Sequence, residues 1–542
     1  MNKRQQHGCL SADAQLAGQL LEQLRAPPRD AGSCQRRKRG CWRPGWRQLA
    51  VLAGVAAPLL LLAALLSRQP VPQPQPLPEE TGQADAGRQP PGRQQVVGPL
   101  MGLFRGGPAR RGRARGDYAR RPRLRWRFPA RPMCAPSRVG SREKTWCGTG
   151  WTGQPALWRR EDGVLEVIFG AFDRRVHFVD LTTGRASRPS FPTGDIIKGS
   201  VTLDPDGEPL LYFGSRDDRL RILALDQVRP RQLWSLDANS VGGLWNNDWD
   251  GNPLVLGDVL FEGGENGYLF AVKLNRDYDD FGQVNVRPEI LLAYPAWTGS
   301  LLRRVGDRNA SIEGSVAAFA DRIYFANSAG RVVGLEVSRV QRGQVRVVFD
   351  FWMGDDVDAS IAVDEQGMLY VAAEQERFLP RAEVVGQLVK LNPYRPADPL
   401  LWSVKVPPGL EDWRGGIWAS PALGRHSLFV VTQSGLLLEV ERSSGRILAS
   451  DRVGVHAWSS PVLAEPWLLV ATCRGEIRCY RVDRPGKLEL DWRVEIPSRA
   501  CIESTPLVWN GHIVVGARDG YVYAFGPPPR AVAATSPRPL TR

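Results

Sequence analysis

Between residues 165 and 526 apolar and polar positions alternate in short runs, and the runs come in pairs joined by tight polar turns. The last pair is the clearest: His512 to Ala517, the turn Arg518-Asp519-Gly520, then Tyr521 to Phe525. The same pattern returns around Gly475, Gly435, Gly386, Gly330 and Gly267, and in looser form around Asp218 and Arg174. A period of two sends successive side chains to opposite faces of a strand, and a glycine in the turn accepts the positive φ of a tight hairpin. Each pair therefore predicts a β-hairpin. Eight hairpins repeating every 40–60 residues or so, with only strand periodicity, predict a repeat architecture.

The flanks of the hairpins complete the unit. A small-residue lead-in precedes most of them, at Ser200-Val201, Ser315-Val316, Ser360-Ile361, Ser420-Pro421, Ser460-Pro461 and Thr505-Pro506. A strand carrying tryptophan follows several, at Trp234, Trp402 and Trp492, and residues 182–185 and 442–445 supply the turn after the third strand. Four strands per unit cannot bury both faces alone, so the units must stack around an axis. The fold class expected is all-β, an eight-bladed β-propeller of four-stranded antiparallel blades. The eighth unit lacks an outer strand, because after Phe525 the chain enters Gly526 and a run of prolines that cannot donate ladder hydrogen bonds. Leu124-Arg125-Trp126-Arg127-Phe128 is similar to Leu490-Asp491-Trp492-Arg493-Val494, the outer strand of the seventh unit. Residues 122–129 are therefore expected to close the ring and remove a sheet edge; the alternative is that they continue an arginine-rich linker.

Phrases such as Asp519-Gly520-Tyr521-Val522-Tyr523-Ala524, with tryptophan-bearing strands elsewhere, resemble the pyrroloquinoline-quinone-like repeat. The resemblance covers about residues 122–526. That family includes quinoprotein dehydrogenases and the non-enzymatic propeller of the bacterial outer-membrane assembly machinery. The repeat residues are structural, so the resemblance implies the fold and leaves activity to the sites.

The remaining chain divides by composition. Residues 1–48 are basic, 49–66 are an unbroken apolar run, 67–121 are a Pro-, Gln- and Arg-rich stretch, 122–526 are the propeller, and 527–542 are a Pro-containing tail. Eighteen apolar residues meet the lower limit for crossing a bilayer, and Trp42 and Trp46 stand just ahead of them as interfacial aromatics. The expectation is a single-pass signal anchor in the inner membrane, with residues 1–48 cytoplasmic and the propeller periplasmic or extracellular; a cleaved signal peptide is the rival reading. Residues 67–121 and 527–542 carry too little apolar surface to order themselves and read as disordered linker and tail. The net charge is +14, but the basic segments 1–48 and 105–131 hold more than that excess, leaving the rest slightly acidic. No nucleic-acid partner is expected for the ring. Residues 105–121 read as a solvated linker, with anionic lipid or an envelope polymer as the other possibility.

Eight cysteines sort by this topology. Cys9, Cys34 and Cys41 precede the anchor and are expected to be reduced. Cys134 and Cys147 share one loop in the exported part and are natural disulfide partners, and a bridge between Cys473 and Cys501 is geometrically possible. Cys479 takes the place of Ala524 in the repeat, a small buried position.

Two acidic loops suggest calcium. Asn246, Asp248 and Asp250 followed by Gly251 have the alternating spacing of an oxygen-ligand loop, and Asp277, Asp279 and Asp280 form an imperfect second one; solvated Asx turns are the alternative for both. Trp245, Trp249, Trp297, Trp413 and Trp418 lie in loops and are candidate interface anchors. Quinoprotein enzymes require calcium clamped between quinone and protein, usually above a disulfide between adjacent cysteines. This sequence has no adjacent cysteines, and its acidic loops fall in one repeat. No Gly-x-Ser-x-Gly, His-Glu-x-x-His or phosphate loop occurs. The expectation is a non-enzymatic scaffold binding other envelope proteins through propeller loops; the alternative is a quinone- or small-ligand-binding sensor or dehydrogenase.

Overall fold

A computed structural model describes residues 97–527, apart from 115, 117–120, 140–141, 152, 409–414 and 455. The expected anchor at 49–66, the basic segment 1–48 and almost all of the tail lie outside the described residues. Among the described residues no helix is long and apolar enough to cross a membrane.

The hairpins do form, and they pack as eight antiparallel blades. The innermost strands of blades two to eight are short: Thr202–Leu203, Leu254–Leu256, Ala317–Phe319, Ala362–Val363, Ala422–Leu423, Val462–Ala464 and Leu507–Trp509. Blade one has five strands, with Gly98–Met101 paired inside Ala156–Arg159. At the tight turns the residue that accepts left-handed backbone is glycine in five blades, for example Gly475 (φ 72°) and Gly520 (φ 92°). In the two looser copies Arg174 (φ 63°) and Asp218 (φ 65°) take the same conformation, at a steric cost glycine does not incur.

Alternation along each strand feeds two different cores. In His512–Gly516, Ile513 and Val515 pack toward blade seven while Val514 packs toward blade one. Eight apolar clusters result, one at each interface between neighbouring blades. The strands are therefore buried on both faces, which is why several read as continuous Val, Leu and Ile runs. The cluster between blades eight and one makes the ring continuous.

Arg123–Phe128 supplies the outer strand of blade eight, pairing with Val522–Gly526 from Arg123 opposite Gly526 to Phe128 opposite Val522. A bulge falls between Leu124 and Trp126, as it does in the outer pairs of blades two to seven.

Part of the stretch expected to be disordered linker has a fixed place in the ring. Residues 98–114 cross one end of the central channel, hydrogen bonding to one inner strand after another. After pairing with blade one, Gly102 O accepts from Leu203 N (2.9 Å), Pro108 O from Ala318 N (2.8 Å), Ala109 O from Val363 N (2.9 Å), Arg111 O from Leu423 N (2.8 Å) and Gly112 O from Leu463 N (2.9 Å). The segment acts as a plug that satisfies the open edges of the inner strands. Arg105 and Arg110, expected on a solvated basic surface, are 1% and 0% exposed. The Arg105 guanidinium donates to the carbonyls of Pro461 (2.6 Å), Pro421 (2.9 Å) and Ser420 (3.1 Å). Arg110 reaches Val316 O (2.9 Å) and both carbonyl oxygens of Asn252. Residues bound this way cannot face lipid or polymer, which corrects the expectation for these two arginines.

Candidate functional site at the channel rim

The small residue that begins each lead-in forms a belt around the channel. Gln154 N donates to Ser200 Oγ (2.7 Å), Asn252 N to Ser315 Oγ (3.1 Å), Ser315 N to Ser360 Oγ (2.8 Å), Ser360 N to Ser420 Oγ (2.9 Å) and Ser420 N to Ser460 Oγ (2.9 Å). A hydroxyl is needed because each buried backbone N–H lies beyond the reach of strand pairing. The belt fixes the register of the inner strands it joins at the axis. Two residues ahead of each belt position stands one side chain per blade at the channel rim: Lys198, Asp250, Glu313, Asp358, Trp418, Trp458 and Glu503 in blades two to eight. Along the inner strands the order is rim, belt, plug, so the rim lies at the end of the channel away from the plug.

The rim is chemically divided. Blades two to five carry a carboxylate cluster. Asp248, Asp250 and Glu265 come within ligating distance of one another, and the cation they hold is the Lys198 ammonium. Lys198 Nζ contacts Asp250 and lies 3.2 Å from Glu265, while Arg216 Nε lies 2.7 Å from Asp248. Burial opposes the Lys198 charge, but Asp250, Glu265, Glu313 and Asp248 outweigh it and hold its pKa well above the ordinary value. Burial likewise opposes the Glu265 charge, yet Lys198 keeps that carboxyl below its usual range. Of the residues expected to bind calcium, Asp248 and Asp250 thus take part in an internal ion-pair network, with Asn246 half-buried beside it.

The second acidic loop does not converge on a ligand set. Asp277, Asp279 and Asp280 are exposed on a hairpin inserted in blade three, formed by Arg276–Tyr278 and Val284–Val286. Asp277 pairs with Arg287 (2.9 Å), and Asp279 accepts from the amides of Phe281 and Gln283, as an Asx turn does.

Further round, Glu313, Asp358, Asp356 and Glu374 form a second group. Burial pushes all four carboxyls up, Asp356 to about 7 and the other three well above the carboxylate range. Arg377 meets Asp356 at 3.3 Å, on a loop whose amides at 376–378 are gathered by the Asp355 carboxylate. In blade eight burial raises Glu503 to about 7 against the pull of Arg518.

Blades six and seven present aromatic faces. Trp418 and Trp458 stack with ring centres 5.1 Å apart and planes 15° apart, and Trp151 of blade one reaches Trp418 at 6.3 Å. Of the loop tryptophans singled out from sequence, Trp418 lines the rim and Trp245 is 57% exposed. Trp249 is fully buried against Phe270 between blades two and three, so it is core and no interface anchor. Trp297 is half-buried beside Tyr268, and Trp413 lies outside the described residues. The rim residues Lys198, Glu313, Asp358, Trp458 and Glu503 escaped the sequence reading. Their signal was present, two positions ahead of each Ser or Thr lead-in.

Disulfides join Cys134 to Cys147 and Cys473 to Cys501. The first staples a hairpin of Cys134–Val139 and Arg142–Cys147 beyond the closing strand. Cys479 is a buried free thiol whose pKa burial raises.

No family model matches the sequence, and no curated protein matches it. Solved structures do. The computationally designed Ika8 protein aligns at a TM-score of 0.48 with 12% identity, over 69% of this chain and 95% of its own. Sqt1 of Saccharomyces cerevisiae aligns at 0.48 with 11% identity, over 67% of this chain and 93% of its own.

Proposed function

We propose that this chain is an exported, membrane-anchored propeller of the pyrroloquinoline-quinone-like type that serves as a non-enzymatic protein-binding scaffold in the bacterial cell envelope. The observation that carries the reading is the rim. Seven of the eight blades bring a lysine, four carboxylates and two tryptophans to one end of the channel, while the plug closes the other. A recognition surface needs such diversity on a rigid frame, with aromatic anchors among polar groups. The two disulfides support residence outside the cytoplasm. Export to the periplasm, with residues 49–66 as the anchor in the inner membrane, follows from that reading.

A second reading, a flat small ligand such as a quinone, draws on the stacked Trp418 and Trp458. It is the weaker one, because a quinone clamp of this kind needs calcium and the nearest carboxylate triad already holds Lys198. Photo-cross-linking in intact envelopes distinguishes them. A photoreactive residue at Trp245 or Trp418 is expected to capture a discrete protein partner. Quinone-dependent dye reduction by the purified protein would replace the scaffold with an enzyme.

A further inference from the structure

Resting on that reading, we infer that the rim is a receptor for a single cationic side chain, a lysine or arginine on a protruding segment of the partner protein. The first ground is an excess of carboxyl groups over basic side chains. Asp248, Asp250, Glu265, Glu313, Asp356, Asp358 and Glu374 gather at one arc of the channel, and among the described residues the cations set between them are Lys198, Arg216 and Arg377. Lys198 and Arg216 are engaged with the blade-three triad. That leaves Glu313, Asp358, Asp356 and Glu374 with Arg377, which also pairs with Asp307 at 3.2 Å.

The second ground lies in two members of that group. Glu374 is 2% exposed and Asp356 3% exposed, and each presents a buried carboxyl oxygen, Oε1 and Oδ1, with no hydrogen-bond donor among the described residues. Both carboxyls interact with Asp358 on the rim, and Glu374 also with Glu313. Buried acceptors without donors are costly, and a donor-rich cation arriving from the channel end would satisfy them.

The third ground is the neighbouring wall of the rim. Trp418 and Trp458 offer stacked indoles. An ammonium or guanidinium entering between carboxylates and indole faces gains both charge pairing and cation–π attraction. A side chain on a folded partner also fits a shallow rim whose Glu313, Asp358, Trp418 and Trp458 are all half-buried and open to one side.

The test uses full-length protein and follows tryptophan fluorescence with blocked pentapeptides of glycine and serine that carry one central arginine, lysine or uncharged citrulline, and with spermidine. The arginine and lysine peptides are expected to bind at least tenfold more tightly than the citrulline peptide. Asp358→Asn and Trp418→Leu should each lower that affinity at least fivefold, while Val228→Ser, at an exposed position outside the rim, leaves it unchanged. Equal binding of the citrulline peptide, or indifference to both rim variants, overturns the inference. Spermidine binding with the peptides excluded also overturns it, in favour of a free polyamine. Partner cross-linking that persists in Asp358→Asn would sink this inference while leaving the scaffold reading intact, so the two can fail separately.

Discussion

Trp126 closes the ring by docking on Gly184. A Cβ at Gly184 would lie 2.4 Å from the indole Cγ, and the indole Nε1 donates to Leu181 O at 2.8 Å. The same latch joins blades five and six, where Trp402 meets Gly445 and donates to Arg442 O at 3.0 Å. A segment from the N-terminal side of the propeller has therefore adopted the contact that an ordinary outer strand makes with the next blade. Trp126→Ala should cost about 3 kcal/mol through lost packing and a lost hydrogen bond. Gly184→Ala should also destabilise, since its φ of 69° disfavours a side chain even before the clash. Thermal melting checks both, and unchanged midpoints would mean that Trp126 is not part of the ring.

The plug should matter as much as the closing strand. Arg105→Ala removes the donors from three backbone carbonyls at once, an expected loss of about 3 kcal/mol. Arg125→Ala, on an exposed position of the closing strand, should be nearly neutral. Denaturant titration that shows equal losses for the two variants would contradict the plug.

Glu503 gives stability a pH dependence of known sign. Its folded-state pKa is raised by burial to about 7, well above the ordinary glutamate range near 4.5, so the folded protein holds this proton where the unfolded chain has released it. The contribution is fully present below about pH 4.5 and is lost as pH rises through about 7, a change on the order of 3 kcal/mol. Glu503→Gln should flatten this part of the curve between pH 4.5 and 7.5. A native protein whose stability rises over that window, with the variant tracking it, would contradict the assignment.

Lys198 should behave as a built-in counterion. Lys198→Met leaves Asp248, Asp250 and Glu265 buried without their shared ammonium, an expected loss of about 3–5 kcal/mol near neutral pH. Millimolar calcium should then restore part of that stability in the variant by mass action, and should do little for the native protein. Calorimetric calcium binding by the native protein with Lys198 in place would show that the ammonium can be displaced.

Much of the fold was legible because its cause is local. Period-two alternation, the left-handed turn at Gly520 and the Trp126 strand each announce themselves within a few residues. The plug was not legible, because Arg105 and Arg110 bind backbone carbonyls, which leave no trace in the sequence of their partners. The acidic loop at Asp248 and Asp250 was visible, but its cation, Lys198, comes from another blade about fifty residues away. Trp249 illustrates the converse problem: its loop position suggested exposure, and packing between two blades buried it. The rim as a whole became readable only once the belt at Ser200, Ser315, Ser360, Ser420 and Ser460 supplied a common register.

Recognition through the rim is tested most directly by position-resolved cross-linking in intact envelopes. One photoreactive residue is placed at Trp418, and another at Val228, which is 76% exposed and lies outside the rim. The expected result is a discrete protein adduct from Trp418, absent from Val228 and abolished by Glu313→Gln with Asp358→Asn in a protein of unchanged melting temperature. Adducts of equal yield from both positions, or adducts indifferent to the two carboxylates, would contradict it.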